Sequence, residues 1–302
     1  MLGGVISALL LWGIYLQIQK QLGKIGSDAI WNTGPVYLLW FCILLMPLNI
    51  ALEGFKWRLL AGSAQQLGYR KALESVLAGI ALSIVTPNRI GEYPGRILYL
   101  KKKNTFRLIS VSILGIFAQM LALFLFGFIG LLYFNTHFPG TLQMVVLIFC
   151  TISTVALAIL FWSFELWMPI IEKIKWLRRF NIYGQLLKRF TGKEQLTILM
   201  ISMLRLSIYT AQYLILLSWM NIQLPLLEGF FMSGLFFWII AVIPSITLVE
   251  LGERGQISMF LFGHFSENTV GILTATVGVW AINLIIPALI GSLLTLRMRM
   301  IR

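Results

Sequence analysis

The sequence predicts an all-α polytopic membrane protein: about six full transmembrane helices plus two re-entrant broken-helix hairpins, arranged as an inverted-topology repeat. Three observations carry that reading. The first is composition: of 302 residues, 59% are hydrophobic and only 12% charged, about half the charged share of a soluble domain. The second is run length. Residues 1–19, 29–52, 108–134, 142–164, 206–227 and 268–296 contain no Asp, Glu, Lys or Arg, and about 20 apolar residues in a helix cross the hydrocarbon core. The third is charge placement. Of 24 basic residues, 18 fall in four segments, 53–71, 101–107, 169–195 and the tail from Arg297. An outer-membrane barrel is excluded, because its strands would alternate polar and apolar residues.

The positive-inside rule puts those four basic segments in the cytoplasm. The connections 135–141, 221–228 and 262–268 carry no Lys or Arg and are external. Threading follows. Residues 2–18 run outward and form a retained first helix rather than a signal peptide, because Lys20 and Lys24 follow the apolar run instead of preceding it. Residues 35–52 return inward, 109–134 go out, 142–168 come in, 196–220 go out, and 269–296 finish inside. Both termini are then cytoplasmic.

Two pieces do not fit single crossings. Residues 72–100 begin and end beside basic segments, and 227–264 begin and end outside. Each is read as a hairpin dipping into the bilayer from its own face, although two full crossings would satisfy the same charges. The halves 1–138 and 139–302 of one membrane domain then carry the same element order in opposite directions. Secondary transporters are often built so, with substrate near broken helices at the midplane.

The hairpins also share residue types. "SIVTPNRIGEYPGR" and "AVIPSITLVELGERG" each pass from an apolar arm through a proline to a Gly–Glu–Arg cluster. Pro87, Gly91, Pro94, Pro244 and Gly252 are the predicted helix breaks, since proline lacks an N–H and glycine permits unusual backbone angles. Arg89, Glu92 and Arg96 in the first segment, and Glu250, Glu253 and Arg254 in the second, are candidate substrate-binding residues. So is Arg205, deep in the fifth helix and expected to face Glu250 or Glu253. Intramembrane charge is a functional candidate by default, and arginine forks suit phosphate. Three roles stay open for these groups: ion pairs that lock the breaks, headgroup binding, and proton or ion coupling. Ala78, Gly79 and Ala81 are read as small residues permitting close helix packing.

Other chemistries are disfavoured. Cys42 and Cys150 lie in apolar runs, His137 and His264 in short connections, and there is no HExxH or CxxC motif. No metal, cofactor or Ser-His-Asp site is expected. The net charge of +13 is assigned to cytoplasmic loops, not to nucleic-acid binding. Segment 169–195 interleaves Trp176, Phe180 and Tyr183 with basic residues. It reads either as a helix on the anionic inner leaflet or as a solvated connector.

"TPNRIGEYPGRILYL" resembles the TP-x-R-x-GE signature of the lysylphosphatidylglycerol synthase transmembrane family. "EGFKWRLLA", "LRLSIYTAQYLILL" and "PSITLVELGERG" add looser likenesses across most of the chain. The resemblance implies an integral inner-membrane protein that handles lipid. In two-part members, a membrane flippase moves aminoacylated phosphatidylglycerol and a soluble domain synthesises it. No such synthase follows within 302 residues, so aminoacyl transfer is not expected. The second segment also lacks the glycine pair that many members carry after the proline. The expected partner is a membrane phospholipid or lipid-linked substrate, with a homo-oligomer or partner enzyme open. Flippase-like transport is the first reading; a lipid-linked glycosyl or headgroup transferase, or an accessory subunit, is the alternative. On the transport reading, Arg89→Ala or Arg96→Ala is expected to fold and to lose translocation.

Overall fold

The computed structural model describes residues 33–84, 86, 91–98, 100, 104–163, 187, 189–243 and 247–299, without the side chains of 98, 247–250 and 295–299. The predicted helix 2–18 and most of segment 169–195 lie outside the described residues. All regular structure among the described residues is helical. The helices are α1 (Val36–Gly62), α2 (Tyr69–Ser83), α3 (Glu92–Leu98), α4 (Thr105–His137), α5 (Thr141–Trp162), α6 (Gly192–Trp219), α7 (Leu226–Val242), α8 (Thr247–Phe262), α9 (Thr269–Trp280) and α10 (Ile286–Arg299). A π turn, Ala281–Ile285, joins α9 to α10.

Among the described residues, five spans are long and apolar enough to cross a membrane: α1, α4, α5, α6 and the continuous stretch Thr269–Leu294. The chain is therefore a polytopic helical membrane protein. Its 33-residue α4 is about 50 Å long at 1.5 Å per residue, so its ends project beyond a core of about 30 Å. Local chemistry sets several ends. Thr191 and Glu194 form a reciprocal capping box at the start of α6, satisfying amides that have no helical partner there. The Asn268 side chain accepts from the Gly271 N–H at the start of α9. The π turn ends two residues before Pro287. A proline cannot donate to the carbonyl four residues back, and a widened turn relieves its ring clash.

Residues 72–100 and 227–264 each divide into two helices, α2 with α3 and α7 with α8. Both pairs comprise short helices of 7 to 17 residues. The α2–α3 pair is held by bare backbone. A Cβ on Gly79 would stand 2.5 Å from the Glu92 carbonyl oxygen, and one on Gly95 2.8 Å from the Gly79 Cα. This is the small-residue packing that the sequence predicts for Gly79. Gly79→Val should cost about 3 kcal/mol through overpacking and lower the melting temperature in detergent. Gly62→Ala, at a position open for 4 Å around, should not lower it.

Packing between elements is exchanged between the chain's halves. Helix α2 packs along α10, where a Cβ on Gly291 would collide with the Leu77 carbonyl, and α7 packs along α4, where one on Gly130 would meet Phe231 and Leu235. Helices α1 and α6 cross at the centre. Two apolar clusters form above and below that crossing. One gathers Cys42, Met46, Tyr213, Leu216 and Phe236. The other gathers Trp57, Leu60, Leu114, Ala118 and Ile198. Between the clusters, α1 contributes Asn49, Glu53 and Lys56, and α6 contributes Ser202 and Arg205. All but Arg205 are nearly inaccessible.

Candidate functional site

Glu53 is the centre of this polar layer. Its carboxylate forms ion pairs with Arg96 Nη1 at 2.6 Å, with Lys56 Nζ at 2.9 Å and with Arg205. Arg96 additionally pairs with Glu92, one turn earlier on α3. Three helices, α1, α3 and α6, thus meet through one network. Helix α4 joins by Gln119, whose Oε1 accepts from Arg205 Nη1 at 3.2 Å and Lys56 Nζ at 3.4 Å. Arg205 Nε donates to Asn49 Oδ1 at 2.9 Å, and Lys56 reaches Ser202 Oγ at 3.4 Å. The Arg96 guanidinium also lies over the rings of Tyr93 and Trp57, at 4.9 and 5.5 Å. Trp57 donates to Ser75, and Ser75 donates to the Arg96 carbonyl. Burial in hydrocarbon makes each lone charge expensive, and this mutual neutralisation is what permits it.

The network forms one wall of a cavity of about 470 Å³, within the range of ligand pockets. Glu53, Lys56, Glu92, Tyr93, Gln119 and Arg205 line one side. Phe237, the 240–243 end of α7 and Arg254 of α8 line another, with Trp280, Asn283 and Leu284 at the π turn. Single π turns recur at functional sites. Here Asn283 donates to Gln212 Oε1 at 2.9 Å, and Gln212 donates to the Cys42 carbonyl at 3.0 Å. This polar thread ties the π turn to α6 and α1. Among the described residues no group of three metal-ligating side chains occurs. The cavity's chemistry is therefore ionic and hydrogen-bonding against aromatic walls.

Residues 1–291 match the family described as the lysylphosphatidylglycerol synthase TM region. The chain belongs to this family. No curated protein matches it. Membership of the lysylphosphatidylglycerol synthase TM-region family supports a membrane protein associated with phospholipid, and the signature segment "TPNRIGEYPGR" supplies two members of the ion network, Glu92 and Arg96.

In this lysylphosphatidylglycerol synthase TM-region protein the candidate residues fall into distinct places. Glu92, Arg205 and Arg254 line the cavity. Arg96 sits behind that wall, 1% exposed. Arg205 pairs with Glu53, and among the described side chains Glu253 makes no ion pair with it. The Glu250 side chain, Pro87, Arg89 and Pro244 lie outside the described residues. Gly91 is buried at the turn into α3, where its N–H donates to Thr86 Oγ1 at 2.8 Å. Pro94 falls in the first turn of α3, where its missing N–H has no helical acceptor to serve. Gly252 lies inside α8 rather than at a break; the helix runs through it because one glycine costs only about 1 kcal/mol.

Asn49, Glu53, Lys56, Gln119 and Ser202 escaped the sequence reading. The charge-free run ends at residue 52, so Glu53 and Lys56 read as the start of a cytoplasmic loop. Instead α1 continues to Gly62. The one available signal was their i, i+3 spacing, which allows a buried pair on one helix face.

Proposed function

We propose that this protein is a flippase-like transporter, passing the headgroup of a phospholipid or lipid-linked substrate through the cavity beside Glu53 while the acyl chains stay in lipid. The observation that supports this most is the ion network itself. Five charged side chains are joined in one network, and four of them, Glu53, Lys56, Glu92 and Arg205, line a cavity of about 470 Å³. A merely structural bundle gains nothing from that arrangement, since packed apolar residues hold helices as well or better. A polar headgroup crossing hydrocarbon needs such a lining.

The inverted repeat belongs to the same proposal. Halves 1–138 and 139–302 are related by a two-fold axis in the membrane plane, with α2–α3 and α7–α8 as the two re-entrant hairpins. The exchanged packing, α2 on α10 and α7 on α4, supports this, because such an axis converts one contact into the other. Rocking of one half against the other would then expose the cavity to each leaflet in turn.

The test is translocation of a fluorescent phospholipid in proteoliposomes, read by reductant quenching of the outer leaflet. The wild type is expected to expose inner-leaflet probe faster than empty vesicles. Ala241→Trp adds bulk on the cavity wall and is expected to bring the rate to the vesicle baseline while the melting temperature holds. A wild-type rate equal to that of empty vesicles for every phospholipid class tried would remove the transport reading.

A further inference from the structure

Lys56 has a counterpart in the second half of the chain. Lys56 and Gln212 each stand 20 residues past the first residue of their helix, Val36 in α1 and Gly192 in α6. Gln119 and Asn283 each stand 14 residues past Thr105 and Thr269, the first residues of α4 and α9. The bonds repeat with the positions. Lys56 Nζ donates to Gln119 Oε1 at 3.4 Å, and Asn283 Nδ2 donates to Gln212 Oε1 at 2.9 Å. Between the two pairs lie Asn49 and Arg205, each 13 residues past the start of α1 or α6. They bond to each other in both directions where the helices cross.

One position of the fold is thus filled by a neutral amide in one half and by a lysine in the other. The buried Gln212 ties α6 to the π turn without a charge, so a charge is not required to tie α1 to α4. What the lysine adds is a proton that can leave. Lysine gives up its proton in buried sites, and arginine does not. An amine that has lost one proton still donates N–H bonds, so the contacts to Gln119 and Ser202 survive in either form. The groups around it are these. Glu53 of the same helix pairs with it at 2.9 Å. Arg205 and Tyr209 of α6, Glu92 and Tyr93 of α3, and Arg254 of α8 line the same cavity, and Arg96 of α3 holds Glu53 from behind. Helix α2 packs on α1 through Leu73 and Ser75, with its Glu74 paired to Arg70. The other cations of this set are arginines. The Lys56 side chain is 2% exposed and lines the cavity, which is its route to water.

We propose that Lys56 is the proton-exchange site that couples this transporter to a proton gradient across the membrane. Its ammonium gives one proton to cavity water, the N–H electron pair staying on Nζ, and takes one back when the cavity opens to the other side. The proposal rests on the transport reading above and adds the ion that drives it.

Two measurements test it, and the first needs no transport. In full-length protein with carbon-13-labelled lysine, folded in detergent, one side-chain NMR signal will be missing from Lys56→Gln. In the wild type that signal should move between its ammonium and amine positions as pH is varied. A signal fixed at the ammonium position at every pH where the protein stays folded overturns the proposal. The second measurement uses the proteoliposomes and fluorescent phospholipid described above, with the membrane potential clamped by potassium and valinomycin. A difference of one pH unit is a tenfold ratio of protons, so one proton per lipid should skew the probe between leaflets by up to about tenfold. Lys56→Gln should keep the melting temperature, because Gln212 holds the equivalent position as an amide, and should lose the skew. Lys56→Arg keeps a charge that it does not release and should lose the skew too. Probe that spreads evenly in the wild type under the gradient, or a skew that survives in either variant, overturns the coupling. A titrating Lys56 without any translocation would remove the transporter and leave the proton site. Translocation with a Lys56 that never titrates would do the reverse.

Discussion

Glu53→Ala is expected to be the most damaging single substitution in the described bundle. It removes the one carboxylate shared by Lys56, Arg96 and Arg205. Two of those cations have almost no exposure to water. Breaking a buried pair by deleting one partner costs about 3–5 kcal/mol, and here three partners lose their anion together. A shift of that size is a large fraction of a typical protein's net stability. The measurement is a thermal melt of the detergent-purified protein with size-exclusion analysis, and the expected result is a strongly lowered midpoint or aggregation. Glu53→Asp keeps the charge on a shorter side chain and should recover part of the loss. A Glu53→Ala protein as stable as wild type would mean that the network carries little of the fold's energy.

Arg96→Ala is the second large effect, and it separates the structure from the sequence reading. With Arg96 as a phosphate ligand, the variant should fold and lose only transport. The structure puts the guanidinium behind the cavity wall, between Glu53 and Glu92 and over two aromatic rings. Its loss frees α3 from α1 and leaves a cavity beside Trp57. We expect a destabilisation of about 3–5 kcal/mol, seen as a fall in melting temperature at least as large as for Arg205→Ala, whose side chain is partly exposed. Arg96→Lys should restore little, since a point charge replaces a fork that spans two carboxylates.

These cases show how far the sequence was legible. The predicted spans match α4, α5, α6 and the Thr269–Leu294 stretch to within about six residues, because hydrocarbon thickness dictates helix length, whereas α1 runs ten residues past its predicted end at 52. The division of 72–100 and 227–264 into paired short helices was legible because prolines mark breaks and matching flanks, basic at both ends of 72–100 and free of Lys and Arg at both ends of 227–264, rule out a single crossing. The small residues around Gly79 announced close helix packing, and the structure supplies α3 as the partner. What stayed hidden was the partner of Arg205. Its mate, Glu53, is 152 positions away in sequence and stands at the edge of a run of loop-like charges. Only the crossing of α1 over α6 makes it internal. Gln119 was hidden for a different reason: a neutral amide inside an apolar helix gives no signal until two cations are placed beside its oxygen.

The pair of hairpins approaching from opposite faces is the claim on which the transport account depends most. It is tested by cysteine labelling in a background with Cys42 and Cys150, both buried, changed to alanine. Arg70→Cys marks the start of α2 at a side chain 92% exposed, and Leu227→Cys marks the start of α7 at a residue 69% exposed. With a membrane-impermeant maleimide, the position at 70 should label only in inside-out vesicles and the position at 227 only in right-side-out vesicles. Labelling of both from the same compartment would contradict the account.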